Sequence, residues 1–123
     1  MRILIADPEP KVRRALTVLL HEQSGWYVVG HAGTLCELEK QIKGLRPQIV
    51  LVDWALPGIN HGEYIGRLAV EKSPVVIVMS LRTEIASLSQ ELGVKYFISK
   101  LESPDKLLEI FRTIQNNLQP AHT

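Results

Sequence analysis

Apolar and polar positions alternate between two rhythms along the chain. Three short runs, Ile3-Leu4-Ile5, Ile49-Val50-Leu51-Val52 and Val75-Val76-Ile77-Val78-Met79, are rich in β-branched residues and free of polar interruption. Such runs predict strands buried on both faces, as in the middle of a parallel sheet. Between them, apolar residues recur at helical spacing. Val12, Ala15, Leu16, Leu19 and Leu20 follow Pro10, which suits a first helical turn. Thr34 with Glu37 forms a capping box ahead of Leu35, Leu38, Ile42 and Leu45. Tyr64, Ile65 and Leu68 give an inward face to residues 61–71, and Ile85, Leu88 and Leu92 do so for a helix from about Thr83 to Gly93. Ser103-Pro104 is an N-cap and first-turn pair ahead of Leu107, Phe111, Ile114 and Leu118.

The strands are expected at 2–6, 26–31, 48–53, 75–79 and 95–98, each followed by a helix. A strand–helix unit repeated five times predicts an α/β fold with a parallel sheet covered on both faces. Right-handed crossovers leave few topologies, and the flavodoxin-like doubly wound order 2-1-3-4-5 is the natural one. Residues 1–118 are expected to form one domain. Residues 119–123, Gln-Pro-Ala-His-Thr, read as a tail or the start of a linker.

Bulk properties narrow the function. The 123 residues carry a formal charge of +1, with 46% hydrophobic and 22% charged positions, ordinary for a globular protein. No basic stripe supports direct nucleic-acid binding by this domain. No apolar run approaches the roughly 20 residues of a membrane span. Cys36, the single cysteine, permits no internal disulfide. The amino terminus reads as a strand and not a signal peptide, which points to the cytosol. His21, His31, His61 and His122 show no ligand spacing.

The candidate chemistry lies at the strand ends. Asp7 and Glu9 follow strand one, Asp53 follows strand three, Ser80 follows strand four, and Lys100 lies just beyond strand five. An aspartate alone at such a place also suits a plain turn. In the 2-1-3-4-5 order, however, all five polar residues converge on the rim where open α/β sheets place their ligands. Clustered carboxylates suit Mg²⁺, which takes oxygen ligands and bridges carboxylates to phosphate. A carboxylate can also accept a phosphoryl group as an acyl phosphate, with a lysine and a hydroxyl serving the phosphoryl oxygens.

With Ile3-Leu4-Ile5-Ala6-Asp7-Pro8-Glu9-Pro10, Val50-Leu51-Val52-Asp53, Pro57-Gly58, Ser80 and Lys100 in these places, the chain resembles the receiver domain of two-component response regulators over nearly its whole length. Residues 26–32 and 93–100 look most like the LuxR/NarL-type subfamily, which carries a carboxy-terminal helix-turn-helix. The resemblance implies Asp53 as phosphoacceptor, Ser80 as switch hydroxyl, Lys100 as phosphate contact and Phe97 as aromatic switch residue. It implies Mg²⁺ on Asp7, Asp53 and the Ala55 backbone carbonyl. It further implies a sensor histidine kinase as partner, pairing into a homodimer, and no enzymatic activity beyond the domain's own phosphorylation and dephosphorylation. An output domain beyond Thr123 would carry any DNA binding.

Three departures qualify the resemblance. Receivers usually have two adjacent acids after strand one, the second a direct metal ligand. Here Pro8 takes that second place, leaving Glu9, one residue on, as the substitute and weak Mg²⁺ binding as the expectation. Lys100 is followed by Leu101 instead of proline, so that peptide should be trans, since cis would cost about 2.5–4 kcal/mol. Asn60-His61-Gly62 replaces an acid-glycine pair. Pro8 keeps open a second reading, a degenerate receiver acting as a phosphorylation-independent interaction module. A flavin-binding domain fits poorly, because Asp7-Pro8-Glu9 offers negative charge and a missing amide where a phosphate would want donors.

Overall fold

A computed structural model describes residues 1–118; the expected tail, 119–123, lies outside the described residues. Five strands alternate with five helices: β1 (Arg2–Ala6), α1 (Pro10–His21), β2 (Tyr27–Ala32), α2 (Leu35–Leu45), β3 (Ile49–Asp53), α3 (Glu63–Ala69), β4 (Val75–Ser80), α4 (Ile85–Glu91), β5 (Tyr96–Ser99) and α5 (Pro104–Leu118). The strands form one sheet in the order β2-β1-β3-β4-β5, and every neighbouring pair is parallel. This is the flavodoxin-like architecture that the alternation of rhythms predicts.

The period of two along each strand divides the core into two layers. Leu4, Ala6, Val50, Val52, Val76 and Val78 face one way, onto Leu38 of α2, Ile65 and Leu68 of α3 and Ile85 of α4. Their neighbours Ile3, Ile5, Ile49, Leu51, Ile77 and Met79 face the other, onto Leu20 of α1 and Leu107, Leu108, Phe111 and Ile114 of α5. All five residues of β3 are buried. Fully burying such a side chain contributes roughly 1.5–3 kcal/mol, so the central strand is the firmest part of the frame that carries Asp53. Trp26 seals the lower edge of the second layer, its ring centroid 5.5 Å from that of Phe111.

The helix ends follow the sequence signals. The Glu37 amide donates to Thr34 Oγ1 at 3.2 Å, completing the cap of α2. Gly30 lets α2 approach the sheet: a Cβ there would collide with the side chains of Gln41 and Leu45. Differences from the expected elements are confined to ends. α3 is shorter than 61–71 because Ile59, Asn60 and Gly62 form turns first, with Asn60 and Gly62 at positive φ. β5 starts and ends one residue later than expected. Leu88, expected in the core, is 37% exposed, because α4 is only two turns long and presents Ile85 and Ser89 inward instead.

His31, near the end of β2, gives this frame a pH dependence. Its Nε2 lies 2.9 Å from Thr17 Oγ1, whose own proton goes to the Arg13 carbonyl. The hydroxyl therefore accepts from Nε2–H. Burial, and then the nearby Arg13 guanidinium, hold the imidazole below its usual value. The unfolded chain then binds this proton more readily than the folded one, so the contribution is present above about pH 6.5 and is lost as the pH falls below it. Urea midpoints measured across that range should drop on the acid side, and His31→Gln should flatten the slope. An unchanged slope in the variant would assign the effect elsewhere.

Candidate functional site

The main chain carries the ladder past the strand ends and so fixes the rim. The Asp7 amide donates to the Ala32 carbonyl at 3.0 Å, the Trp54 amide to the Met79 carbonyl at 2.9 Å, and the Lys100 amide to the Ser80 carbonyl at 2.9 Å. Each residue at the carboxyl end of β1, β3 and β5 is thus tied to its neighbour strand. The side chains that follow are aimed into one crevice.

Two aspartates there adopt the same local device. Asp7 Oδ1 accepts from the Glu9 amide at 2.9 Å, and Asp53 Oδ1 accepts from the Ala55 amide at 2.8 Å. This carboxylate-to-amide bond two residues on is the turn that aspartate favours at strand ends. It fixes one oxygen of each acid and leaves the other, Oδ2, directed at the partner strands. Lys100 Nζ meets both: it is 2.8 Å from Asp7 Oδ2 and also pairs with Asp53 Oδ2. Asp7 is sealed from solvent and Asp53 is 3% exposed. Burial pushes the Asp7 carboxyl above the usual carboxylate range, against the lowering pull of Lys100 and the Glu9 amide. Burial alone would lower the Lys100 ammonium, but its ion pairs with the Asp53 and Asp7 carboxylates outweigh that and hold it above the ordinary lysine value.

Ser80 is buried at the same rim and joins the group through the main chain. Its Oγ accepts from the Arg82 amide at 3.0 Å, which leaves the hydroxyl proton free for an acceptor in the crevice. Phe97 is half-buried against the layer beneath α2, α3 and α4. Trp54, next to Asp53, is also half-buried and leans over Gly62, where a Cβ would strike its ring. The Lys100–Leu101 peptide is trans, as expected.

Glu9 is the expected ligand that the structure does not bring in. It is the extended N-cap of α1, with φ −94° and ψ 114°. Its amide turns inward to Asp7, and its exposed carboxylate makes no hydrogen bond or ion pair among the described residues. Among the described residues no group of three or more His, Cys, Asp or Glu is placed to hold a metal ion. Two carboxylates still fit a hard divalent cation that keeps most of its waters. Asp7 Oδ2 supports this, being buried without a partner in hydrogen-bonding geometry despite the nearby ammonium. The carbonyl of Ala55 accepts no hydrogen bond among the described residues and can serve as a third oxygen.

Sequence reasoning missed Arg13. Its Nη1 donates to the Asp7 carbonyl across the start of α1, while its Nε is buried without a partner. The guanidinium passes Gly33, where a Cβ would lie 3.1 Å from Nη1. No sequence signal marks the contact, because it joins a helix face to a carbonyl and needs no special spacing.

The described helices include none long and apolar enough to cross a membrane. A family model described as the response regulator receiver domain matches residues 3–112. Among curated proteins, the transcriptional regulatory protein BtsR of Escherichia coli is 33% identical over 86 residues, 70% of this chain and 36% of BtsR. A protein-glutamate methylesterase/protein-glutamine glutaminase of Rhizobium etli is 29% identical over 82 residues, 67% of this chain and 24% of that protein. The chain thus spans about a quarter to a third of the length of these relatives. Among solved structures, the response regulator domain of Thermotoga maritima CheB superposes with a TM-score of 0.79 at 25% identity, covering 94% of this chain and 96% of that one. RcsB of Salmonella enterica serovar Typhimurium, bound to the rprA promoter, shares the fold with a TM-score of 0.84 at 22% identity, over 95% of this chain and 62% of that one. From Ile3 to Arg112, this chain belongs to the receiver domain family of two-component response regulators.

Proposed function

We propose that Asp53 is the phosphoacceptor, charged by a partner histidine kinase, and that the domain switches an output through this modification. The observation that carries the reading is the held geometry of Asp53. One carboxylate oxygen is fixed by the Ala55 amide, and the other rests on an ammonium at the mouth of the sheet. In the transfer, a carboxylate oxygen of Asp53 attacks phosphorus, the bond from phosphorus to the donor nitrogen breaks, and that nitrogen keeps the electron pair. Lys100 then faces the phosphoryl oxygens, and Ser80 donates its free hydroxyl proton to one of them. A divalent ion held by Asp7, Asp53 and the Ala55 carbonyl would neutralise charge on the phosphoryl group. With Pro8 supplying no oxygen and the Glu9 carboxylate turned outward, that ion is bound weakly. The domain has no enzymatic role beyond its own phosphorylation and dephosphorylation.

Partners follow from the same reading. An apolar groove beside the rim, lined by Val12, Leu16 and Leu19 of α1 with Leu81, Pro104 and Leu107, suits docking of the protein that brings the phosphoryl group. Exposed Leu88 on α4 supports pairing into a homodimer. The likeness to BtsR supports a transcriptional output carried by another domain, with this domain making no direct nucleic-acid contact, and the cytoplasm as the place of action. Pro8 favours the one alternative, a receiver that binds its partner without phosphorylation.

Mass spectrometry after incubation with acetyl phosphate and Mg²⁺ separates the two. The proposal expects one added phosphoryl group on Asp53; a protein that stays unmodified while still binding its partner supports the alternative. Ser80→Ala tests the switch. Its loss leaves the Arg82 amide in an exposed loop, a cost of under about 1 kcal/mol. The variant should still be phosphorylated but should no longer change its self-association on phosphorylation, as read by gel filtration. An undiminished response would remove the hydroxyl from the mechanism.

A further inference from the structure

The end of the sheet away from Asp53 carries two clefts framed by positive charge. They lie where the chain enters β3, β4 and β5. Ile42 and Pro47 form the apolar part of the first cleft, of about 580 Å³, with Lys43 and Arg46 beside them. Val75 and Tyr96 do the same for the second, of about 220 Å³, with Lys72 and Lys95. Pro74 lines both, so the clefts adjoin. The five residues of β3 set this end roughly 15 Å from Asp53.

The fold does not account for this charge. Lys43, Arg46, Lys72 and Lys95 are exposed, and none has an ion pair among the described residues. Glu71 is the one acid that lines either cleft. Basic residues often complement the carboxyl ends of helices. At α2 that place is already taken, because the Arg2 guanidinium donates to the Leu45 and Arg46 carbonyls. Arg46 itself ends α2 in the left-handed conformation, φ 48°, where glycine or asparagine is the usual choice. Lys72 and Lys95 lie outside helices, ahead of β4 and β5. The four cations come from three separate stretches of chain, so no basic run in the sequence announces them.

We propose that this end of the domain docks an acidic, partly apolar peptide segment of a partner protein, independently of the phosphorylation rim. The occupant follows from complementarity. Cations flanking an apolar floor fit a chain that alternates carboxylates with apolar side chains. Its apolar side chains fill the two clefts, and its acids meet Lys43, Arg46, Lys72 and Lys95. Residues 119–123 do not fit, since Gln-Pro-Ala-His-Thr has no acid. A second copy would have to bring an acidic face, and the rim acids Asp7 and Asp53 are buried. A single nucleic-acid strand wants aromatic faces on which to stack its bases, and Tyr96 is the one aromatic residue lining either cleft.

The probe is a fluorescein-labelled peptide of about ten residues alternating glutamate and leucine, enough to cross both clefts at about 3.3 Å per residue. Anisotropy with the full chain reads its binding. Arg46→Glu combined with Lys72→Glu should weaken it at least about tenfold, since each reversal turns an attraction into a repulsion. Lys11→Glu makes the same charge change on α1, at the other end of the sheet, and should alter binding by less than about twofold because distant charges are screened. Peptides with glutamine for glutamate, or serine for leucine, should each bind at least about tenfold more weakly. These two leave the protein untouched, so its folding is not in question. Amide NMR signals of Lys43, Arg46 and Lys95 should move on binding, and those of Asp7 and Asp53 should stay. No binding, equal binding by the double variant or by the serine peptide, or signals that move at the rim overturns the proposal. So does tighter binding of oligothymidylate or of phosphatidylserine vesicles that the double variant loses, which assigns the surface to nucleic acid or membrane. Self-association lost in that variant assigns it to a second copy. The phosphoacceptor reading stands apart from all of these, because it fails only if Asp53 takes up no phosphoryl group.

Discussion

Asp53→Asn should take up no phosphoryl group from acetyl phosphate and should stay within about 1 kcal/mol of wild-type stability, below the typical cost of a disruptive substitution. The chemistry is lost because an amide cannot form the acyl phosphate. The fold is kept because the asparagine oxygen can still accept from the Ala55 amide that now bonds Asp53 Oδ1. Removing one member of a buried ion pair usually costs about 3–5 kcal/mol, because the partner charge is left uncompensated. Here Lys100 keeps its contact with Asp7 Oδ2 at 2.8 Å, so its charge remains paired. The Asp7–Asp53 repulsion disappears at the same time. Mass spectrometry reads the first half of the prediction and urea unfolding the second. A variant labelled as fully as wild type would move the phosphoacceptor elsewhere. A loss of more than about 3 kcal/mol would mean that Lys100 depends on Asp53 and does not share its charge between two acids.

The frame of the site was open to sequence reading because its causes are local. Ile49-Val50-Leu51-Val52 fits a strand covered on both sides, and all four are buried. Strand order then put Asp7, Asp53, Ser80 and Lys100 on one rim. The plain turn that an aspartate suits at a strand end stood only as the alternative to a functional role, and the structure has both acids make it while they also meet Lys100. What the sequence did not carry were facts of rotamer and distance. Nothing in the spacing says that Lys100 closes on both carboxylates, or that Glu9 turns its amide inward and its acid out. The Arg13 contact with the Asp7 carbonyl was equally hidden, since a helix residue reaching a main-chain oxygen leaves no pattern of residue types. Leu88 failed for a related reason. Apolar spacing marks one face of a helix, but a helix as short as Ile85–Glu91 buries only part of that face.

Pro8→Asp should tighten Mg²⁺ binding at least about tenfold, by comparison with the tenfold to hundredfold lost when a group beside a metal site is removed. It should also speed phosphorylation of Asp53 by acetyl phosphate. Position 8 lies between Asp7, whose Oδ2 faces the crevice, and Glu9, whose amide binds Asp7 Oδ1. A carboxylate there would stand next to the two acids already present and raise the negative charge of the rim by one. In the absence of metal this addition should destabilise the fold, because like charges repel at close range and because replacing proline frees the unfolded chain, worth about 0.4–1 kcal/mol. Saturating Mg²⁺ should return that stability and more, since a ligand bound only by the native state stabilises it by mass action. The sign of the metal effect is thus opposite to the sign of the substitution effect, and the pair cannot be mimicked by a general loss of structure. Trp54 fluorescence reports binding, and unfolding curves with and without Mg²⁺ report the two stabilities. Wild type that binds Mg²⁺ as tightly as the variant would mean that two carboxylates, one carbonyl and water suffice. Pro8 would then be a neutral substitution in an ordinary phosphorylatable receiver.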